Sequence, residues 1–265
     1  MGHIKPKKSL GQHFLKDGHI IRRIAATIPA KSPEDRVIEI GPGTGMLTRE
    51  LLNRFTNLRC VELDGRAVSY LHQTFPGLDV IHGDILDISW DDLLAWPEES
   101  DAEIHVVGNL PYFITSQILF KILEHRSRLK SATLMMQKEV AERVVADPGN
   151  KTYGILSVQA QLMSTPEIMF DVGRSSFHPP PDVTSSVVLF RFDRPSLVCS
   201  DNSLKQVVRT AFQQRRKKLK NSLSGLGLDE LPEDPLFDYD KRAEAWEPHI
   251  YEKLAGRLEQ DGTLV

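Results

Sequence analysis

From residue 36 onward, short β-branched runs alternate with longer segments of helical periodicity, and this alternation constrains the fold more than any other feature of the chain. Strands that follow one another only across an intervening helix run parallel, because the crossover carries the chain back to the same end of the sheet. The pattern predicts strands over 36–40, 58–63, 79–82, 104–108 and 133–136, with helices over 46–54, 65–73, 115–124 and 138–146. The runs at 167–172 and 186–192 are different, since the Pro-rich loop between them has no room for a crossover helix. They are expected to pair antiparallel, as a hairpin-like edge. The expected fold class is therefore α/β, with a sheet of about seven strands whose last strand is antiparallel. Arg194-Pro195 breaks the pattern, and the chain beyond Ser200 reads as helix with acidic, Pro-containing turns at 229–240. Two domains follow, 1–194 and a small all-α domain over 195–265. Within the latter, Leu204, Val207, Val208, Ala211, Phe212, Leu219 and Leu223 keep helical spacing, which predicts one amphipathic helix stopped near Gly225.

With 26% charged and 40% hydrophobic residues, the chain can bury a core, which excludes disordered and fibrous classes. No stretch reaches the ~20 apolar residues that span a bilayer, and no apolar segment follows Lys5, Lys7 and Lys8. The Met1-Gly2 start lacks the hydroxyl that myristoylation needs at position 6, where Pro6 stands. Cys60 and Cys199 form no CxxC pattern, and the nine histidines lack ligand spacing, so neither disulfide framework nor metal site is expected. A reducing cytoplasm and no membrane partner fit these features. The formal charge of −3 conceals an uneven distribution. Residues 1–23 carry Lys5, Lys7, Lys8, Lys16, Arg22 and Arg23 against Asp17, and residues 202–228 carry seven basic residues and no acid. Two such segments on an acidic chain point to a polyanion partner. Arg215 falls near the apolar stripe of its helix and is expected to pair inward, whereas Arg216, Lys217 and Lys220 are expected to project from the opposite face.

The first strand runs into Glu39-Ile40-Gly41-Pro42-Gly43-Thr44-Gly45. Glycines there let the backbone turn sharply and approach a ligand, and Glu62, ending the next strand, is placed to accept from ribose hydroxyls. Tight packing would also select glycine, but the strand before the turn and Glu62 after it favour a nucleoside site. The spacing is GxGxG rather than the GxGxxG that cradles pyrophosphate, so a ligand without phosphate is expected. Asp84, after the third strand, is either a helix cap or an acceptor for an adenine amine. The fourth strand ends in Asn109-Leu110-Pro111-Tyr112. An exocyclic base amine is a poor nucleophile because its lone pair is delocalised into the ring. Asn109 Oδ1 and the Leu110 carbonyl could each accept one of its N–H bonds, with Pro111 fixing the turn and Tyr112 offering a stacking face. An ordinary Asx-Pro turn has the same sequence, and its position one strand beyond the glycine turn favours the functional reading.

These stretches, with Lys8-Ser9-Leu10-Gly11-Gln12-His13-Phe14-Leu15, Glu62-Leu63-Asp64, Phe177-His178-Pro179-Pro180-Pro181-Asp182-Val183-Thr184-Ser185-Ser186 and Phe212-Gln213-Gln214-Arg215-Arg216-Lys217-Lys218-Leu219-Lys220-Asn221-Ser222-Leu223, together resemble the rRNA adenine dimethyltransferase family over nearly the whole chain. The opening motif and the Arg215-Arg216-Lys217 run look like its bacterial small-subunit branch, that of kasugamycin sensitivity, more than the erythromycin-resistance branch acting on large-subunit rRNA.

The resemblance implies a Rossmann-like class I methyltransferase domain followed by a helical rRNA-binding domain. It implies an S-adenosylmethionine site formed by Gln12, His13, Leu15, Gly41, Gly43, Glu62, Asp84, Ile85 and Asn109, with Glu62 on the ribose and Asp84 on the adenine amine. Asn109, Leu110, Pro111 and Tyr112 would hold the target amine and base, and Phe177 would be the second aromatic face of the target pocket. Arg216, Lys217, Lys220, Lys7 and Lys8 would contact RNA, and no metal is implied. The implied reaction is repeated methyl transfer to adenine N6 at two adjacent nucleotides of a small-subunit rRNA hairpin loop, inside an immature subunit; a monomer is expected, though the sequence carries no signal of oligomeric state. A DNA or protein N-methyltransferase would share the glycine turn but not the basic C-terminal segment, and a non-catalytic assembly factor would not need Gly43, Glu62, Asn109 and Tyr112 together.

Overall fold

The computed structural model describes residues 4–7, 10–97, 101–226 and 232–264. Its elements in chain order are β1 (Phe14–Leu15), α1 (Gly18–Thr27), β2 (Arg36–Ile40), α2 (Met46–Leu52), β3 (Asn57–Glu62), α3 (Gly65–Thr74), β4 (Asp79–His82), α4 (Trp90–Leu93), β5 (Ile104–Asn109), α5 (Thr115–Glu124), β6 (Ser131–Gln137), α6 (Lys138–Val144), α7 (Ile155–Met163), β7 (Thr165–Val172), β8 (Phe177–His178), β9 (Ser185–Arg191), α8 (Asp201–Gln213), α9 (Leu219–Ser222) and α10 (Pro248–Gln260).

The chain forms two compact units, one of residues 1–141 and 167–192, the other of 142–166 and 193–265. The sequence placed the boundary at 195 and assigned everything before it to the first domain. Instead α7 joins the second unit: Leu156, Val158 and Ala160 are buried, and the helix packs against α8 and α10. Its apolar residues fit the α/β pattern equally well, so periodicity does not reveal which core they serve.

In the first unit a seven-stranded sheet has the order β4-β3-β2-β5-β6-β9-β7. The β4, β3, β2, β5 and β6 neighbours pair parallel. β9 pairs antiparallel with β6, Ser131 opposite Arg191 and Gln137 opposite Ser185, with β7 beyond it at the edge. Buried strands Val37 to Ile40 and Ala132 to Met136 are apolar without alternation apart from Glu39 and Thr133, as expected of a sheet covered on both faces. The chain moves outward from β2 to β3 and β4, then returns to lay β5 on the other side of β2. Ligands bind outside the carboxyl ends of the strands at such a reversal.

The second unit buries Leu204, Val207, Val208, Ala211, Leu219 and Leu223 around linked rings of Tyr153, Phe212, Tyr251 and Trp246. The expected single helix through Leu223 is broken. Gln214 leaves helical geometry, and the Leu219 and Lys220 N–H groups donate to the Lys241 and Tyr239 carbonyls at 2.8 and 3.0 Å instead of to the preceding turn. The basic run is therefore a turn between α8 and α9, and Arg216 and Lys217 are exposed on it rather than on a helix face.

Candidate active site

At the sheet reversal lies a cleft of ≈ 820 Å³, measured out to its open mouth. Its walls come from the carboxyl ends of β2, β3, β4 and β5 and from residues 10–14. Gly41, Gly43 and Gly45 all have left-handed φ, at 70°, 56° and 73°. A side chain would be strained at each, and a Cβ on Gly43 would lie 2.9 Å from the Phe14 ring. The glycines thus turn the backbone sharply out of β2 and let Phe14 close against the turn.

Glu62 is buried at the end of β3, where Oε2 accepts from Gly43 N at 2.9 Å and Oε1 from Asp64 N at 2.8 Å. Burial raises its pKa and these backbone donors oppose the rise. Each carboxylate oxygen can accept a second hydrogen bond, so Glu62 braces the glycine turn and still has capacity toward the cleft it lines. Beneath the turn, burial pushes Glu39 up to about 7, although Thr48 Oγ1 donates to it at 2.6 Å. Asp84 lines the cleft, and its Oδ1 accepts from Leu86 N at 2.9 Å in a turn rather than at a helix start, while its other oxygen keeps acceptor capacity. Gln12, His13, Gly41 and Ile85 also line it.

Asn109 carries the chemistry furthest. Its Nδ2 donates to the His13 carbonyl at 3.0 Å, which fixes the amide so that Oδ1 remains an acceptor. Among the described residues no group donates to that Oδ1. Leu110 is buried with its N–H on the Met135 carbonyl at 3.1 Å. Pro111 accepts from Thr115 Oγ1 at 3.0 Å, locking the entry to α5. Tyr112 stacks on His13, centroids 5.7 Å apart and 21° between planes, and its hydroxyl pairs with Ser185 Oγ at 2.7 Å. Burial raises the Tyr112 pKa, so the phenol stays neutral and serves as a ring surface.

Leu15 and Phe177 do not line the cleft. β1 and β8 form a two-residue antiparallel ladder with Leu15 opposite Phe177 and Phe14 opposite His178. Alternation sends the first pair into the core, where both are buried, and Phe14 takes the position expected for Leu15. Asp64, quoted only as part of a motif, proves central. It caps α3, holds Arg66 through two contacts at 3.0 and 2.5 Å, and accepts from Gln12 Nε2 at 3.1 Å, with Lys7 Nζ at 3.8 Å. The Arg66 guanidinium holds its carboxyl well below the usual range. An acid just after a strand end and before Gly65 was the available signal, and it marks the N-cap of α3 that Asp64 forms.

Of the residues expected at RNA, Lys8 lies outside the described residues and Lys7 reaches Asp64. Lys220 and Lys218 contact Asp240 at 2.8 and 3.1 Å. Arg215 pairs with Glu244 at 3.4 Å, as its position near the stripe predicted. Arg216 and Lys217 are exposed and, among the described residues, form no ion pair. At the amino end of the sheet, the fold gathers Asp35, Glu103 and His105, whose donor atoms lie within 4.8 Å, a cluster that sequence spacing did not show. Lys31 and Lys130 sit 3.0 and 3.2 Å from Glu103 and supply the positive charge there.

The family model for ribosomal RNA adenine dimethylase matches residues 3–236. The chain belongs to the ribosomal RNA adenine dimethylase family. It is 44% identical to ribosomal RNA small subunit methyltransferase A of Porphyromonas gingivalis, across 98% of this chain and 100% of that protein. To the protein of the same name from Flavobacterium johnsoniae it is 43% identical, over 99% of each. Among solved structures, a dimethyladenosine transferase from Plasmodium falciparum superposes with a TM-score of 0.77 at 26% identity, over 94% of this chain and 98% of that one. The 23S rRNA methyltransferase ErmE superposes with 0.64 at 26% identity, over 93% and 100%. The fold is thus the Rossmann-like methyltransferase fold, and as a member of this dimethylase family the chain is an enzyme.

Proposed function

We propose that the protein dimethylates adenine N6 at two adjacent adenosines in a hairpin loop near the 3′ end of small-subunit rRNA, acting as a cytoplasmic monomer on an immature small subunit, with S-adenosylmethionine as methyl donor. The fixed Asn109 amide carries this reading, because it leaves one oriented acceptor beside the glycine turn. The small-subunit assignment is supported by relatives at 43–44% identity that bear that name, against 26% for the large-subunit enzyme. No helix among the described residues is long and apolar enough to cross a membrane.

The residues fit the cofactor. Gly41 leaves room where a side chain would stand, Gly43 lets Phe14 close on the turn, Glu62 has free acceptor capacity for ribose hydroxyls, and Asp84 for an adenine amine. Gln12 lines the cleft with its amide held at both ends, by Lys7 N at 2.9 Å and Asp64 at 3.1 Å, which fixes its place in the wall. When bound, S-adenosylmethionine supplies an electrophilic methyl on a sulfonium. Asn109 Oδ1 and the Leu110 carbonyl accept the two N–H bonds of the target amine, which draws its lone pair out of ring conjugation and orients it. Tyr112 supports the base on the face not covered by His13. Positioning does most of the work, and the proton lost from the amine passes to solvent without a dedicated base. The aliphatic wall of Ile40, Val61, Ile85 and Ile118 limits water around the reacting groups.

Incubation with labelled S-adenosylmethionine and undermethylated small subunits should place label in dimethyladenosine of the small-subunit rRNA. Label in large-subunit rRNA alone, or none in either, would reject the assignment.

A further inference from the structure

Phe113 is 64% exposed, yet it lines the active-site cleft. It lies in the single 3₁₀ turn Tyr112–Ile114 that follows the Asn109 motif. Its ring is seated on one side by Gly11, whose φ is 58°, and a Cβ there would come within 3.0 Å of the ring. Among the described residues it has no aromatic partner, whereas its neighbour Tyr112 is stacked on His13 and tied to Ser185. Successive side chains of a 3₁₀ turn diverge by about 120°. Tyr112 and Phe113 therefore cannot sandwich one base, and a ring facing solvent at the mouth serves a different one.

We infer that Phe113 forms a second nucleobase subsite, stacking the nucleotide adjacent to the target adenosine. Turning the target base into the cleft takes away the stacking partner of its neighbour in the loop, and Phe113 offers a replacement face beside the point of entry. Such stacking changes affinity by roughly 5- to 150-fold per base and does not depend on base identity, which suits a site that must accept either neighbour of two consecutive targets. Phe113 acts as a positioning residue for RNA, without contact with the reacting atoms.

The inference rests on the function proposed above, and methyl transfer to undermethylated small subunits at saturating S-adenosylmethionine tests the two separately. Phe113→Ala and Phe113→Leu should each raise KM for subunits about 10-fold with kcat within about 2-fold. Phe113→Trp should restore KM, and calorimetry should find S-adenosylmethionine affinity unchanged in all three. A Leu variant equal to wild type would show that no ring is needed and overturn the subsite. Cofactor affinity falling by the same factor as KM rises would make Phe113 a cofactor cover and also overturn it. An inactive wild type would reject the proposed function together with the subsite, whereas an active wild type matched by Phe113→Ala would reject the subsite alone.

Discussion

The two basic segments look alike in composition but have different structural fates. Near the N-terminus, residues 10–14 line the cleft and the described residues before them are tied to its rim: the Lys5 carbonyl accepts from Arg66 at 3.2 Å, Lys7 and Gln12 converge on Asp64, and the His13 carbonyl holds Asn109. The segment after α8 keeps its backbone bonded to residues 239 and 241 and leaves Arg216 and Lys217 outside. A run of cations therefore identifies a polyanion surface only where no nearby carboxylate neutralises it. Asp64, 3% exposed, lies 3.8 Å from one cation of the first segment, Lys7, and Asp240 pairs with Lys218 and Lys220 of the second.

The contrast breaks most sharply at Asn109. Asn109→Ala should lower kcat by 10²-fold or more, equivalent to about 2.7 kcal/mol of barrier, while leaving RNA affinity nearly unchanged. Turnover within a factor of ~10 of wild type would reduce Asn109 to a clamp on the strap at His13.

Asp64→Asn should release the N-terminal strap and weaken S-adenosylmethionine binding by about 10- to 100-fold, the usual effect of losing charge-assisted hydrogen bonds of ~1.5–3 kcal/mol. The folded-state pKa of Asp64 lies below its ordinary value, so its contribution to stability is full above about pH 4 and is lost as pH falls through the folded pKa. The stability gap between wild type and Asp64→Asn should accordingly be constant from pH 5 to 8 and close on acidification, as followed by urea unfolding.

Arg216→Gln with Lys217→Gln should weaken small-subunit binding and lower the magnitude of the slope of log affinity against log salt by up to ~1.8, or ~1.4 for single-stranded contacts. Cofactor affinity and thermal midpoint should not move, since neither residue touches the core. Parallel salt slopes would show that the exposed turn is only solvated. The smallest effect is expected for Lys7→Gln, which should change the salt slope by less than half of one phosphate contact because its ammonium faces Asp64. A loss as large as that of the double variant would mean Lys7 leaves Asp64 for RNA.

Much of the first unit could be read from local pattern. β2 and β4 begin and end where periodicity placed them, and α5 spans the predicted 115–124. The glycine turn was equally readable, because a positive φ is a local demand that few other residues meet. Asn109 and Glu62 followed from their place at strand ends.

The sequence by itself thus determined the strands of the main sheet and the helices between its parallel strands, the antiparallel strand, and the carboxyl-edge cleft, all set by periods and turn chemistry within a few residues. Tertiary structure alone decided that Phe14 rather than Leu15 lines the cleft, that Phe177 is core, and that Asp64 ties down the strap. It also decided that α7 joins the second unit and that the helix expected through Leu223 ends at Gln213. Each of these depends on a pairing between segments distant in the chain, Leu15 with Phe177 or Leu219 with Lys241. A helical or strand period records which face of an element is apolar, and the partner that covers it is chosen only when the chain packs.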